Sequence, residues 1–140
     1  MNPQLLSIDL ENATKFGGYD ESQITQTFIK GYMQIVKDWG LTDPEAEKML
    51  AVDHQTWMQI RRGTWNGLLD QENLTRIGEI TAIYDALHSF LGEEEGNRWV
   101  TKPNKLSMFS GRRPVDAIIQ EGRPMMKRTQ RLTRGILAGM

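Results

Sequence analysis

The feature that most constrains the fold is a run of apolar residues at helical spacing within 70–91. They fall on one face of an α-helix: Leu74, Ile77, Tyr84, Leu87 and Leu91. Asp70 suits the capping position before a helix, and Gly92 suits the position just after one. The pattern therefore predicts one long amphipathic helix at 70–91.

Similar spacing predicts further helices along most of the chain, at 24–39, 43–50, 54–62, 93–101 and 124–138, with a short one between Pro114 and Gly122. No stretch shows the strict alternation that is typical of a strand, so the expected fold is all-α. We expect a polar N-terminal arm at 1–23, a helix-turn-helix-like region at 24–69 and a C-terminal helical domain at 70–140.

Residues 43–62 have the pattern of a helix-turn-helix. Thr42 and Glu45 form a capping-box pair, and Asp53 can cap the second helix after a turn at Ala51 and Val52. The second helix offers side chains that read base edges or bind phosphate: Gln55, Thr56, Gln59, Arg61 and Arg62. A helical pair that only supports the rest of the fold is the other interpretation.

The net charge of −1 conceals a strong asymmetry. Residues 1–97 hold 7 Lys/Arg and 16 Asp/Glu, whereas residues 98–140 hold 10 Lys/Arg and 2 Asp/Glu. The acidic first part opposes DNA binding, which depends on several phosphate contacts. The basic last part predicts either that it faces an acidic partner or that the two parts of the chain attract each other.

Several classes of chemistry lack the residues they need. The chain has no cysteine, which removes disulfides, thiolate zinc sites and a Cys nucleophile. His54 and His88 lack the spacing of metal ligands, and no nucleophile accompanies Asp85 and His88. We therefore expect no catalytic residue, no metal and no cofactor. The N-terminus has no signal-peptide pattern, and no apolar run approaches the ~20 residues of a membrane helix, so the expected location is cytoplasmic, with no membrane contact.

The C-terminal half resembles the toxin-binding domain of the Xre/MbcA/ParS antitoxin family. The matching features are IGEITAIYDALHSFL at 77–91, Trp99, KPN at 102–104, SGRRPVDAIIQEG at 110–122, and a closing helix with Leu132 and Gly135. The resemblance covers roughly 42–140, since the family also places a helix-turn-helix at the position of 43–62. The chain departs from the family in the loop 105–110, where no glycine remains and only Gly111 follows, and in its small apolar tail.

The resemblance implies an all-α antitoxin, commonly dimeric, that pairs with a RES-domain toxin and keeps NAD out of its active site. It also implies repression of the antitoxin's own operon through operator DNA. The expected toxin-binding residues are Lys102, Asn104, Arg112, Arg113, Arg123, Lys127, Arg128, Arg131, Arg134 and Met140. The competing hypothesis is a helix-turn-helix transcriptional regulator whose C-terminal half only dimerises.

Overall fold

The computed structural model describes residues 20–137, and every regular element within them is an α-helix. The helices are α1 (Glu21–Trp39), α2 (Asp43–Leu50), α3 (His54–Arg62), α4 (Gln71–Trp99), α5 (Pro114–Glu121) and α6 (Arg123–Leu137). The predicted all-α fold is confirmed. None of the helices in this part of the chain has the length and apolar character needed to cross a membrane.

Helices α2 and α3 have the predicted bounds because local caps fix their ends. The Thr42 and Glu45 side chains cap each other's backbone N–H groups, and Asp53 accepts from the Thr56 N–H at 2.7 Å. Ala51, between the two helices, takes the left-handed conformation. These are the caps and the turn that the sequence predicted.

Helix α1 begins three residues earlier than predicted. Asp20 and Gln23 form a capping box, with the Gln23 N–H donating to Asp20 Oδ1 at 2.7 Å. Residues 20–23 therefore belong to α1 and its cap, which corrects the predicted arm at its C-terminal end. The rest of that arm, residues 1–19, lies outside the described residues.

Helix α4 joins the two helices predicted at 70–91 and 93–101. Gly92 interrupts it with φ 83° and ψ 174°, a conformation open to glycine, so the predicted break is confirmed. Asp70 caps the start, accepting from the Asn73 N–H at 2.8 Å. The second stretch ends at Trp99, two residues before the predicted end.

One continuous core includes residues from all six helices, among them Ile35, Leu50, Trp57, Ile80, Ile118 and Met126. Buried hydrogen bonds add to it, since the Tyr32 hydroxyl donates to the Ala46 carbonyl at 2.6 Å and the Asn73 amide donates to the Leu50 carbonyl at 2.9 Å. The predicted boundary between residues 69 and 70 therefore falls inside a shared core. Side chains of α1 and α6 pack into that same core.

Candidate functional site

Helix α6 has two chemically distinct faces. Met125, Met126 and Thr129 are fully buried on the inner face. The outer face carries four exposed cations, Lys127, Arg128, Arg131 and Arg134. Because each helical residue advances by about 100° around the axis, this sequence puts apolar and basic side chains on different sides. The helical period of 124–138 predicts this separation, because it places Met125, Thr129 and Leu132 on one face and Lys127, Arg131 and Arg134 on nearly the opposite one. The exposures confirm it as far as residue 135.

A shallow groove of about 450 Å³ runs beside the first half of α6. It is lined by Arg123, Pro124, Lys127, Arg128 and Arg131. Four of these five residues are cationic, so the groove concentrates positive charge that would attract an anionic group.

Arg123, at the start of α6, is tied to the long helix α4. Its Nη2 lies 2.9 Å from Glu79 Oε1, and the Glu79 side chain is only 12% exposed. This ion pair raises the pKa of Arg123 through its hydrogen bond to Glu79. Arg123 therefore stands at the edge of the basic groove with its guanidinium already oriented.

Arg113, just before α5, connects α5 to α2. Its Nη2 lies 2.5 Å from Glu45 Oε2, and its Nε donates to Asp116 Oδ2 at 2.8 Å. Burial alone would raise the pKa of Glu45, but hydrogen bonds from Thr42 and Arg113 hold that pKa below its usual value. Arg113 also lowers the pKa of Asp116 through its hydrogen bonds. Both carboxylates therefore favour the charged form in the folded protein.

Arg112 contacts residues that are close to it in the sequence. Its Nη2 lies 2.7 Å from Glu121 Oε2, and its Nε donates to the Phe109 carbonyl at 2.8 Å. Arg128 approaches the other oxygen of Glu121 at 4.0 Å. Arg112 thus closes the loop before α5 and also offsets the charge of Glu121, the carboxylate next to Arg128 in the basic groove.

Residues 102–104 lie in the loop that connects α4 to α5. The Asn104 N–H donates to the Arg112 carbonyl at 3.0 Å, and the Gly111 N–H donates to the Asn104 carbonyl at 2.9 Å. Asn104 Oδ1 accepts from the Leu106 N–H at 3.0 Å. Lys102 is exposed and lies 3.6 Å from Glu95. Asn104 therefore has a structural role in positioning α5 after α4.

The predicted toxin-binding residues consequently fall into groups. Lys127, Arg128, Arg131 and Arg134 share one exposed face with Arg123 at its edge, whereas Arg112 and Arg113 are engaged within the fold. Met140 lies outside the described residues. Both interpretations of the charge asymmetry have a physical counterpart, because Arg113 and Arg123 join the two parts of the chain while the face of α6 points outward.

The candidate DNA-reading residues on α3 are unequally placed. Gln55 and Arg62 are exposed, and Thr56 and Gln59 are half-buried. Arg61 is hydrogen-bonded to Asp43 on α2, which also accepts from the indole of the buried Trp57 at 3.0 Å. Hydrogen bonds from Thr56 lower the pKa of Asp53, which keeps a negative charge at the start of α3.

The two histidines occupy different surroundings. His54 Nδ1 lies 3.0 Å from Glu47 Oε2 on the surface. His88 bridges the break in α4, with its Nε2 2.5 Å from Asn97 Oδ1 and its ring packed at a tilt of 38° against Tyr84. Within residues 20–137, no group of three His, Cys, Asp or Glu side chains is arranged to hold a metal ion. His88 thus serves to join the two stretches of α4.

Sequence spacing missed the carboxylates that bind the basic residues. Glu45 lies 68 positions from Arg113, and Glu79 lies 44 positions from Arg123. The overall charge asymmetry was the one available signal, and it indicates attraction without identifying the pairs. Pro124 was also missed, since only the packing of α6 shows that it lines the groove.

Comparisons with protein-family models, curated proteins and solved structures found no match to this chain. The geometry of the α6 face and the residues that carry the resemblance are therefore the grounds for assigning a function.

Proposed function

We propose that this protein is the antitoxin of a type II toxin–antitoxin system. It would bind a RES-domain toxin and block the entry of NAD to the toxin's active site. One observation carries the proposal: a helix anchored in the core by Met125 and Met126 presents Lys127, Arg131 and Arg134 to solvent. A charged face of this kind can steer an acidic partner, and its helical backbone is already ordered before binding.

The residues that carry the family resemblance support this role through their position. The Val115 N–H donates to the Val100 carbonyl at 3.0 Å, which fixes the start of α5 next to the end of α4. Asn104 and Gly111 close the intervening loop, and Gly122 makes the corner between α5 and α6. The motif thus holds α6 at a defined angle to the core. Blocking a cleft requires placement of a surface and no chemistry from the antitoxin.

The test is co-expression of this protein with the product of the neighbouring gene. Cell growth and the NAD level are the two measurements. Deleting residues 123–140 would remove Met125 and Met126 from the core, so failure of that truncation would not separate binding from folding. A surface variant is sharper: Arg128→Glu, Arg131→Glu and Arg134→Glu together. The matched control reverses three exposed lysines elsewhere: Lys30, Lys48 and Lys105.

We expect the wild-type protein and the control variant to co-purify with the neighbouring product, preserve NAD and permit growth. The α6 variant should lose the complex at low salt and allow growth arrest with NAD depletion. A neighbouring product that neither binds the protein nor consumes NAD would contradict the proposal. Full protection by the α6 variant would contradict the assignment of the binding face.

Operator binding is the second candidate function, and the exposure of Gln55 and Arg62 on α3 favours it. The engagement of Arg61 by Asp43 and the charge of Asp53 weigh against it. A gel shift on the protein's own promoter, alone and with its partner, tests it. A shift that Gln55→Ala and Arg62→Ala abolish, with no toxin partner present, would favour the regulator whose C-terminal half only dimerises.

A further inference from the structure

The groove beside α6 has an excess of positive charge that the fold does not use. Of its four cations, Arg123 is bound to Glu79, and Arg128 shares Glu121 with Arg112. Within residues 20–137, no carboxylate lies within ion-pair distance of Lys127 or Arg131. The groove therefore offers at least two cations whose charge no described carboxylate offsets.

These cations also repel one another along the helix. The spacing is four residues from Arg123 to Lys127 and four more to Arg131. The Cβ atoms of neighbouring cations are therefore about 5–6 Å apart on one side of α6. Like charges at this spacing destabilise a helix by a small amount. A bound anion would convert this repulsion into attraction, because it would lie within reach of several of the cations.

The dimensions favour a compact ligand of high negative charge. From Arg123 to Arg131 the helix rises about 12 Å, and the groove holds about 450 Å³. Arginine guanidinium groups match the oxygens of phosphate in paired hydrogen bonds, and lysine adds a point charge. A long nucleic acid would extend past the groove toward the carboxylates beside it, Glu79 next to Arg123 and Glu121 next to Arg128. A short phosphoanhydride meets only the basic lining.

We propose that the groove lined by Arg123, Lys127, Arg128 and Arg131 binds a small phosphoanhydride, such as the diphosphate or triphosphate group of a soluble metabolite. This next step rests on the proposed function. The same cations then contact the partner protein, so a bound phosphoanhydride competes with the partner. Antitoxin binding would then weaken as the concentration of the anion rises.

The first test uses the purified chain alone. Isothermal titration calorimetry at constant ionic strength measures binding of pyrophosphate, tripolyphosphate and sulfate, and NMR shifts of the backbone amides map the site. Tripolyphosphate should bind more tightly than pyrophosphate, and sulfate most weakly, with the largest shifts at 123–131. Equal affinity for sulfate and tripolyphosphate would overturn the proposal, as would tighter binding of a single-stranded oligonucleotide of equal phosphate concentration.

The second test uses charge-removing variants. Lys127→Gln with Arg131→Gln should weaken tripolyphosphate binding about tenfold or more, because two charge-assisted contacts are lost. The matched control, Lys30→Gln with Lys105→Gln, removes the same charge at exposed positions elsewhere and should change binding less than about twofold. Equal losses in both variants would show only a net-charge effect and would overturn the site.

Competition is measured last, by adding tripolyphosphate to the complex of the protein with its co-purified neighbour. Release of the partner at tripolyphosphate concentrations that match the affinity from calorimetry is the expected result. Tight binding of tripolyphosphate without release would overturn the competition and leave the antitoxin proposal standing. Absence of any co-purified partner would contradict the proposed function, whereas the calorimetry decides the site independently.

Discussion

Two sets of basic side chains lie close together in the sequence of the C-terminal third and serve different purposes. Arg113 and Arg123 reach back to mostly buried carboxylates of α2 and α4 and hold the helices together. Lys127 and Arg131 lie within eight residues of Arg123 and point to solvent. Charge density alone therefore does not define a binding face, because part of that charge stabilises the fold.

The largest effect on stability should come from Arg123. In Arg123→Ala, the Glu79 side chain, which is only 12% exposed, would lose its ion-pair partner, and Glu79 Oε2 already lacks a hydrogen bond. We expect the free energy of unfolding to fall by about 2 kcal/mol, less than for a fully buried pair because Arg123 is 31% exposed.

Chemical denaturation of Arg123→Ala, of Glu79→Leu with Arg123→Leu, and of Arg98→Ala measures this. The double variant removes both charges and should recover most of the loss. Arg98→Ala breaks an exposed pair with Glu94 and should cost less than about 1 kcal/mol. If Arg123→Ala proves no more harmful than Arg98→Ala, the division into two sets of basic residues fails.

Arg113→Ala should have the next largest effect. The substitution breaks contacts with Glu45 and Asp116 at once, and so loosens α5 from α2. We expect a loss of about 1–2 kcal/mol in the free energy of unfolding, because solvent reaches part of the pair. Arg113→Lys keeps the charge without the paired geometry and should recover only part of the loss. Recovery by lysine to wild-type stability would contradict a geometric role.

Acid should weaken the same connection. The pKa of Glu45 is lower in the folded protein than its ordinary value of 4.5, so its ionised form stabilises the fold above that value. The stabilisation is lost as the pH falls through the lowered pKa. Denaturation between about pH 6 and about pH 3 should show a steeper fall for the wild type than for Glu45→Gln. Parallel curves would show that Glu45 titrates alike in both states.

Local and distant interactions differ in how far the sequence predicts them. The caps at Thr42 and Asp53 lie within three residues of the groups they bind, so spacing fixed the bounds of α2 and α3. The capping box of Asp20 and Gln23 is equally local, but the polar composition of residues 1–23 predicts an arm in its place. The break at Gly92 followed from the glycine itself.

The candidate site was predictable only in part. The helical period placed Lys127, Arg131 and Arg134 on the side opposite Met125, which the structure confirms through their exposure. The density of basic charge groups Arg112 and Arg113 with them, because charge along one segment says nothing about carboxylates brought close by the packing of α2, α5 and the loop before α5. Which basic residues remain available is a property of the tertiary structure.

The smallest effect on stability, and the sharpest contrast, should come from the outer cations. Arg128→Gln with Arg134→Gln should change the free energy of unfolding by less than about 0.5 kcal/mol, since both side chains are exposed. Removing like charges near Lys127 and Arg131 relieves repulsion, so a slight increase in the free energy of unfolding agrees with this expectation as well as no change does. Association with an acidic partner should nevertheless slow, and its rate should depend less on salt. Stopped-flow association at two ionic strengths, together with denaturation of the same sample, separates the two roles. A variant that unfolds more easily but binds at the wild-type rate would contradict this division of roles. The outward face of α6 would then stabilise the fold and would not be a surface for a partner.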